Sequence, residues 1–402
     1  MRVLLVSSQI IPHVGGLSTH FQLLEDTLVQ NGAASGAVTG NDLDHGLAQR
    51  LRLGISRLAG ADIARAEILD ATLQRLSAKV EHRLLRGDAP DLIHCHDPLA
   101  SVAAHLAVGH TAISIPVIQT VHGPWSREAL MGGAVPCGAQ VSYIRRLEEC
   151  AFATTAHLIA VDRGQAEILA TDFQVPPERI TVVPNGIDTV TTAALSEMPP
   201  QVVVREPYFV VPRRLVKKNG VEVAIGAIGR LPSPTVLAVA GGGPLQPQLE
   251  RTAAALGVLP RVRFFGNVSP AVLMPLMRGA LGVVIPSVPV NGVVEATSLA
   301  ALEGMACGTP ILVSDIGGLR EIVCRAAVGF LFPAGDHAAL ASTMRVLEAM
   351  PAGELAVLRH RTRCAAAAFD LRYWFSATQG VYDRTLSATS ASGLTAHRSS
   401  CR

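Results

Sequence analysis

Glu295 and Glu303 are two acids with seven residues between them, in the run Asn291-Gly-Val-Val-Glu295-Ala-Thr-Ser-Leu-Ala-Ala-Leu-Glu303-Gly-Met-Ala-Cys-Gly-Thr-Pro310. An apolar run, Gly282-Val-Val-Ile-Pro286, precedes them, and a second, Ile311-Leu-Val-Ser314, follows. A helix from about Ala296 to Ala306 is expected between the two strands. Eight helical positions give roughly 12 Å of rise and an offset of about 80°. The carboxylates would then lie on neighbouring faces and hold hydroxyl groups at both ends of one ligand. Open α/β sheets bind ligands where strands end and helices begin.

Cations occupy a comparable place. Val211-Pro-Arg213-Arg214-Leu-Val-Lys217-Lys218-Asn-Gly220 leaves one apolar strand and enters a helix. Arg and Lys ahead of a helix N-terminus suit a diphosphate, although basic residues in such loops are commonly just solvated. Ala240-Gly241-Gly-Gly243-Pro244 and Pro12-His-Val-Gly15-Gly16 are glycine turns of the same strand-to-helix kind. Glycine there lets backbone N–H groups approach an anion; a plain turn is the alternative for each. The first turn lacks G-x-G-x-x-G, which disfavours a nicotinamide dinucleotide.

Histidines end two further strands. Asp91-Leu-Ile-His94-Cys-His96-Asp97-Pro98 puts two imidazoles at alternate positions, pointing to one side. No third metal ligand stands out beside them, so a cleft-lining or a core role is expected instead. Thr120-Val-His122-Gly123-Pro124 places His122 at a strand's carboxyl end. Val183-Pro-Asn185-Gly186-Ile-Asp188 reads as a turn at a domain exit.

These motifs need a scaffold. Short apolar runs alternate with helical stretches: Val3–Val6, Ser35–Thr39, Leu92–Cys95, Val117–Thr120, Leu158–Val161 and Ile180–Val183, then Tyr208–Val211, Thr235–Ala240, Val262–Phe265, Leu281–Ile285, Ile311–Val313 and Gly329–Phe332. The order predicts two doubly wound parallel sheets facing a central cleft. The expected boundaries are 1–188 for the first domain, 189–206 for a proline-bearing linker without clear period, and 207–370 for the second domain. A last aromatic helix, 371–386, is expected to pack back on the first domain, ahead of a disordered tail, 387–402.

Composition limits the partners. Of 402 residues, 49% are hydrophobic and 16% charged, which suits sheets buried on both faces. The net charge of +2 without long charge runs makes nucleic acid an unlikely partner. Seven cysteines with no C-x-x-C pair point to reduced thiols and a cytoplasmic setting. Met1–Ser8 reads as a first strand and not as a signal peptide. Residues 46–65, with Arg50, Arg52, Arg57 and Arg65, could lie on a membrane surface or form an ordinary amphipathic helix.

Taken in order, the motifs resemble those of the retaining glycosyltransferases of family four, which have the two-domain GT-B fold. The resemblance runs from Gly15-Gly16 to the last aromatic helix. It implies a nucleotide diphosphate sugar donor, UDP- or GDP-linked, and transfer of a hexosyl group to a hydroxyl of an unidentified acceptor bound mainly by the first domain. It implies that Glu303 holds the donor ribose, that Glu295 lies near the transferred sugar, and that backbone from Ala296 through Thr297 and Ser298 to Leu299 approaches the sugar and distal phosphate. Arg213 or Arg214, with Lys218, resembles the pair that neutralises the diphosphate: Arg213 has the usual five-residue spacing, while Arg214 precedes Leu as the usual Arg does. Gly243 belongs to the donor turn. Gly15 and Gly16 would close over the donor, and His122 would face the sugar. No cofactor and no metal are implied, because Arg and Lys take the place of Mg²⁺. One departure is Glu295-Ala-Thr-Ser298, where the family usually has Glu-Gly-Phe-Gly; it leaves the sugar unassigned. A nucleotide-sugar epimerase or hydrolase, or a non-catalytic nucleotide-sugar-binding protein, are the competing readings.

Overall fold

Side chains alternate across the sheets as the apolar runs require. On Tyr208–Val211, Tyr208 and Val210 join one buried cluster while Phe209 and Val211 join another on the opposite face. The computed structural model describes residues 1–43, 61–131 and 138–399, apart from positions 14, 34, 88, 112 and 233. The expected surface helix with Arg50, Arg52 and Arg57 lies mostly outside the described residues. No described helix is long and apolar enough to cross a membrane.

The chain forms two units, Met1–Pro184 with Phe375–Arg402, and Asn185–Trp374. The first holds a parallel sheet of β1 (Val3–Val6), β2 (Ser35–Val38), β3 (Leu92–Cys95), β4 (Val117–Val121), β5 (His157–Ala160) and β6 (Ile180–Val182). Its order is β2-β1-β3-β4-β5-β6. The second holds β7 (Tyr208–Val211), β8 (Val236–Ala240), β9 (Val262–Gly266), β10 (Gly282–Ile285), β11 (Ile311–Ser314) and β12 (Phe330–Phe332), all parallel, in the order β12-β11-β10-β7-β8-β9. Each order reverses direction once: beside β1 and β3 in the first sheet, and beside β7 and β10 in the second. The loops leaving these strands are therefore the natural ligand sites.

Three expectations are corrected. The helix expected from Ala296 begins at Leu299 and ends at Ala306. Glu295, Ala296 and Thr297 lie in the preceding loop, so the helical spacing inferred for the two acids does not hold. Gly317 and Gly318 press on that loop: a Cβ at Gly318 would meet Ala296 C at 2.5 Å and Thr297 N at 2.6 Å. The expected linker contains a helix, Thr189–Ser196, whose cap is Asp188: its carboxylate accepts from Thr191 N at 2.8 Å. The expected disordered tail is helical to Ser399. After the packed turns around Tyr382, the segment 387–399 contains no proline to stop the helix.

Candidate active site

In the second unit the loops after β7 and β10 meet. Arg213 follows β7, and its Nη2 lies 2.8 Å from Glu295 Oε2, both side chains being about nine-tenths buried. The same guanidinium donates to Ser287 Oγ at 3.1 Å, Asn219 Oδ1 at 2.5 Å and Ser298 Oγ at 3.2 Å. Its Nε is buried with no hydrogen-bond partner. Arg214 is exposed, and its carbonyl accepts from Asn219 Nδ2 at 2.8 Å and from Val216 N at 2.9 Å. The neighbouring Arg residues thus have opposite environments, and it is Arg213 that joins Glu295.

Glycines hold this geometry by close approach. A Cβ at Gly241 would meet Arg213 O at 2.1 Å, and one at Gly243 would meet Leu215 O at 2.6 Å. The Gly241–Gly243 turn after β8 therefore clamps the Arg213 loop from below. Lys218 sits half-buried in a single turn, Lys217–Asn219, and its carbonyl accepts from Val288 N at 2.8 Å. That bond ties the cationic loop to the segment leaving β10.

The two acids are in different electrostatic states. Burial alone would raise the Glu295 carboxyl, but the Arg213 charge and hydrogen bond, with Lys218 and Ser287, hold it below the usual carboxylate range. Glu303 stands one turn into the Leu299–Ala306 helix, and burial pushes its carboxyl up to about 7. Gly304 lets this helix lie close on β10: a Cβ there would meet Val283 Cγ2 at 2.9 Å. Ser298 Oγ accepts from Arg213 and makes no cap bond to the helix. The N–H groups of Leu299 and Ala300 therefore take no cap from the Ser298 side chain.

Asn185 was read only as a turn residue. Its Nδ2 donates to Thr297 O at 3.0 Å, so it supports the loop that carries Ala296 and Thr297. Beside it Gly186 passes close to Trp374: a Cβ there would meet Trp374 Cβ at 2.5 Å. Only glycine lets the chain pass there.

In the first unit, Gly15 and Gly16 open the Gly16–Gln30 helix. His122 follows β4 and borders a cavity of about 210 Å³ with Gln9, His13, Gln119, Trp125 and Glu128 among its walls. His20, His94 and His96 pack beside it. His94 and His96 rings stack at 4.5 Å, and His122 Nε2 lies 3.5 Å from His96 Nδ1. Burial and the neighbouring imidazoles push His96 and His122 well below the ordinary histidine value, so both rings are neutral. His20, which carried no signal in the sequence, supplies the third imidazole to His96 and His122 that sequence spacing did not show. Their ring nitrogens lie within 4.8 Å of one another. The three imidazoles therefore form a potential metal-ligating group, against the expectation that no third ligand stands beside the strand-end histidines.

The family profile for Glycosyltransferase Family 4 matches residues 14–191, and that for Glycosyl transferases group 1 matches residues 198–369. A D-inositol 3-phosphate glycosyltransferase of Xylanimonas cellulosilytica is 30% identical over 74% of this chain and 72% of its own length. The chain belongs to glycosyltransferase family 4. A glycogen synthase of Mycobacterium tuberculosis is 28% identical, over 95% of this chain and 94% of that one. The Anabaena protein Alr3699/HepE, solved in complex with UDP-glucose, superposes with a TM-score of 0.70 at 18% identity, covering 95% of this chain and all of its own. The family-4 chain has the GT-B fold and is a glycosyltransferase.

Proposed function

We propose that this glycosyltransferase moves a hexosyl group from a UDP- or GDP-sugar to a hydroxyl of its acceptor, with retention of anomeric configuration and without a metal ion. The observation that carries the reading is the Arg213–Glu295 pair, with its unpartnered Arg213 Nε, beside the N-terminus of the Leu299–Ala306 helix. A structural neighbour solved in complex with UDP-glucose supports the nucleotide-sugar class.

Breaking the bond from the anomeric carbon to the diphosphate puts negative charge on the leaving phosphate. Arg213, Lys218 and the N–H groups at Ser298 and Leu299 are assigned to that charge, where fixed cations and dipoles lower the barrier. They perform the charge neutralisation that would otherwise fall to Mg²⁺. Glu295, ionised and held by Arg213, is assigned to hydroxyls of the transferred sugar. Glu303 is assigned to the ribose, and Ala296 and Thr297 to the sugar through their backbone. Gly243 shapes the turn beneath Arg213. The first domain is assigned to the acceptor, while its Gly15 and Gly16 are assigned to the donor. His122, neutral in its cavity, suits a hydrogen bond to a sugar hydroxyl. Attack on the face the phosphate leaves, with that phosphate taking the acceptor proton, accounts for retention.

Titration calorimetry with UDP, GDP and ADP, and with their sugars, tests the donor. Arg213→Gln is expected to weaken the preferred nucleotide by about tenfold or more, since charged hydrogen bonds contribute about 1.5–3 kcal/mol each. Wild-type affinity in Arg213→Gln and Lys218→Gln alike would remove the assignment. The anomeric configuration of the product by NMR tests retention, and undiminished turnover in EDTA tests metal independence.

A further inference from the structure

A basic cavity lies in the second unit, at the far end of the Leu299–Ala306 helix. It has a volume of about 320 Å³ and is lined by Arg278, Cys307, Gly308, Arg359, His360 and Arg363. Ligand pockets begin at roughly this size. The helix of eight residues spans about 12 Å, so the cavity is separate from Ser298 and the residues around it.

Arg359 and Arg363 are one turn apart on the Ala352–Ala366 helix and face the same side. Arg278 lies in the last turn of the Pro270–Gly279 helix. The acid that contacts this group is Glu197, whose Oε1 is 3.3 Å from Arg278 Nη1 and 3.2 Å from Arg363 Nη1. Glu197 itself is more than half exposed. Arg359 donates to the carbonyls of Arg278, at 2.8 Å, and Ala280. Arg363 Nη2 reaches Cys307 O at 3.4 Å. Three guanidinium groups face one contacting carboxylate, so positive charge is in excess; the two helix ends that point here and Glu303, one turn from Cys307, offset part of it.

Part of this pattern is helix capping, and capping explains the carbonyl bonds. It does not explain why three cations share one cavity. Burial lowers the Arg359 pKa, Tyr208 acts against that, and the Arg278 charge adds to it. Gly308 keeps the floor open: it has φ +73°, and a Cβ would press on Arg363 Nε at 3.2 Å and Arg359 O at 3.3 Å. An oxyanion with several acceptor oxygens would answer both the charge and the fork geometry of the guanidinium groups.

We propose that this cavity binds the phosphate of a soluble phosphomonoester, at a site separate from the nucleotide sugar. The remaining room beside the three arginines takes the organic part of the ligand, and His360 offers it a further polar contact at the rim.

The test is titration calorimetry on the full chain with inorganic phosphate and with glucose 6-phosphate as probes. Four variants accompany the wild type. Arg363→Gln is expected to weaken both probes by about tenfold or more. Glu197→Gln removes the competing carboxylate and is expected to tighten them several-fold, an effect that a capping role alone does not produce. Arg213→Gln is expected to leave both unchanged, which separates this site from the donor site. Arg359→Gln is the least informative, because the side chain also holds two carbonyls, and a loss of fold there is read against Glu197→Gln. No saturable binding to the wild type, equal affinity in Arg363→Gln and wild type, or loss in Arg213→Gln alone would overturn the proposal.

Discussion

Glu303 and Glu295 are the same side chain in opposite surroundings, and that difference has a pH signature. Glu295 is held ionised by Arg213. Burial pushes Glu303 up to about 7 from an ordinary value of 4.5. The folded chain therefore holds a proton on Glu303 that the unfolded chain has released, between about pH 4.5 and 7. Stability should fall as pH rises through that window, by up to about 3 kcal/mol for this group. Glu303→Gln removes the ionisation, so it should be more stable than wild type above pH 7, with the gap closing toward pH 4.5. Urea unfolding at several pH values reads this directly. The same carboxyl accepts hydrogen bonds best when ionised, so its assignment to the ribose predicts that nucleotide affinity rises as pH passes through about 7. A flat profile in wild type, or an equal rise in Glu303→Gln, would take Glu303 out of the site.

The strands were legible because a strand buried on both faces needs an unbroken apolar run, and each run marks its own position. What escaped the sequence depends on contacts from distant elements. The loop of Glu295, Ala296 and Thr297 is the clearest case. Its residues suit a helix by local preference, yet Gly317 and Gly318, at the start of the Gly317–Ala326 helix, lie hard against it, and Gly318 N donates to Glu295 O at 3.1 Å. His20 was invisible for the same reason: it lies on the Gly16–Gln30 helix and reaches His96 and His122 only through the fold. The Thr189–Ser196 helix carried a readable cap in Asp188-Thr189, but its threonine-rich sequence shows no clear period. The glycine pair yields a test. Gly318→Ala places a methyl group against the backbone of Ala296 and Thr297, an overpacking that costs about 1–3 kcal/mol. The fold should survive, while nucleotide affinity should fall as the loop shifts. Wild-type affinity for the preferred nucleotide in a folded Gly318→Ala would show that this loop does not touch the donor.

The path of the chain makes the first unit depend on its last helix. The chain leaves that unit at Pro184 and returns at Phe375. Tyr382 is fully buried there, with its hydroxyl 2.8 Å from His94 Nδ1, while His94 Nε2 lies 2.8 Å from Thr120 Oγ1. Burial, with His20 nearby, pushes His94 down to about 3. A histidine neutral in the fold but charged when unfolded contributes stability that is present above about 6.5 and lost as pH drops toward 3. Acid should therefore loosen the first unit through this histidine. Tyr382→Phe keeps the ring but leaves His94 Nδ1 without its partner, at a cost of about 1–3 kcal/mol. Ending the chain at Trp374 is far more severe, because it also removes the buried Phe375 and Val381. Scanning calorimetry should then show the first unit unfolded, while the second, whose clusters lie on both faces of its own sheet, still melts cooperatively. A nucleotide that raises the surviving transition would place donor binding on residues 185–374 alone, since a ligand of the native state stabilises only what binds it. A truncated chain that melts as the full chain does would mean that Tyr382 and its helix do not hold the first sheet together.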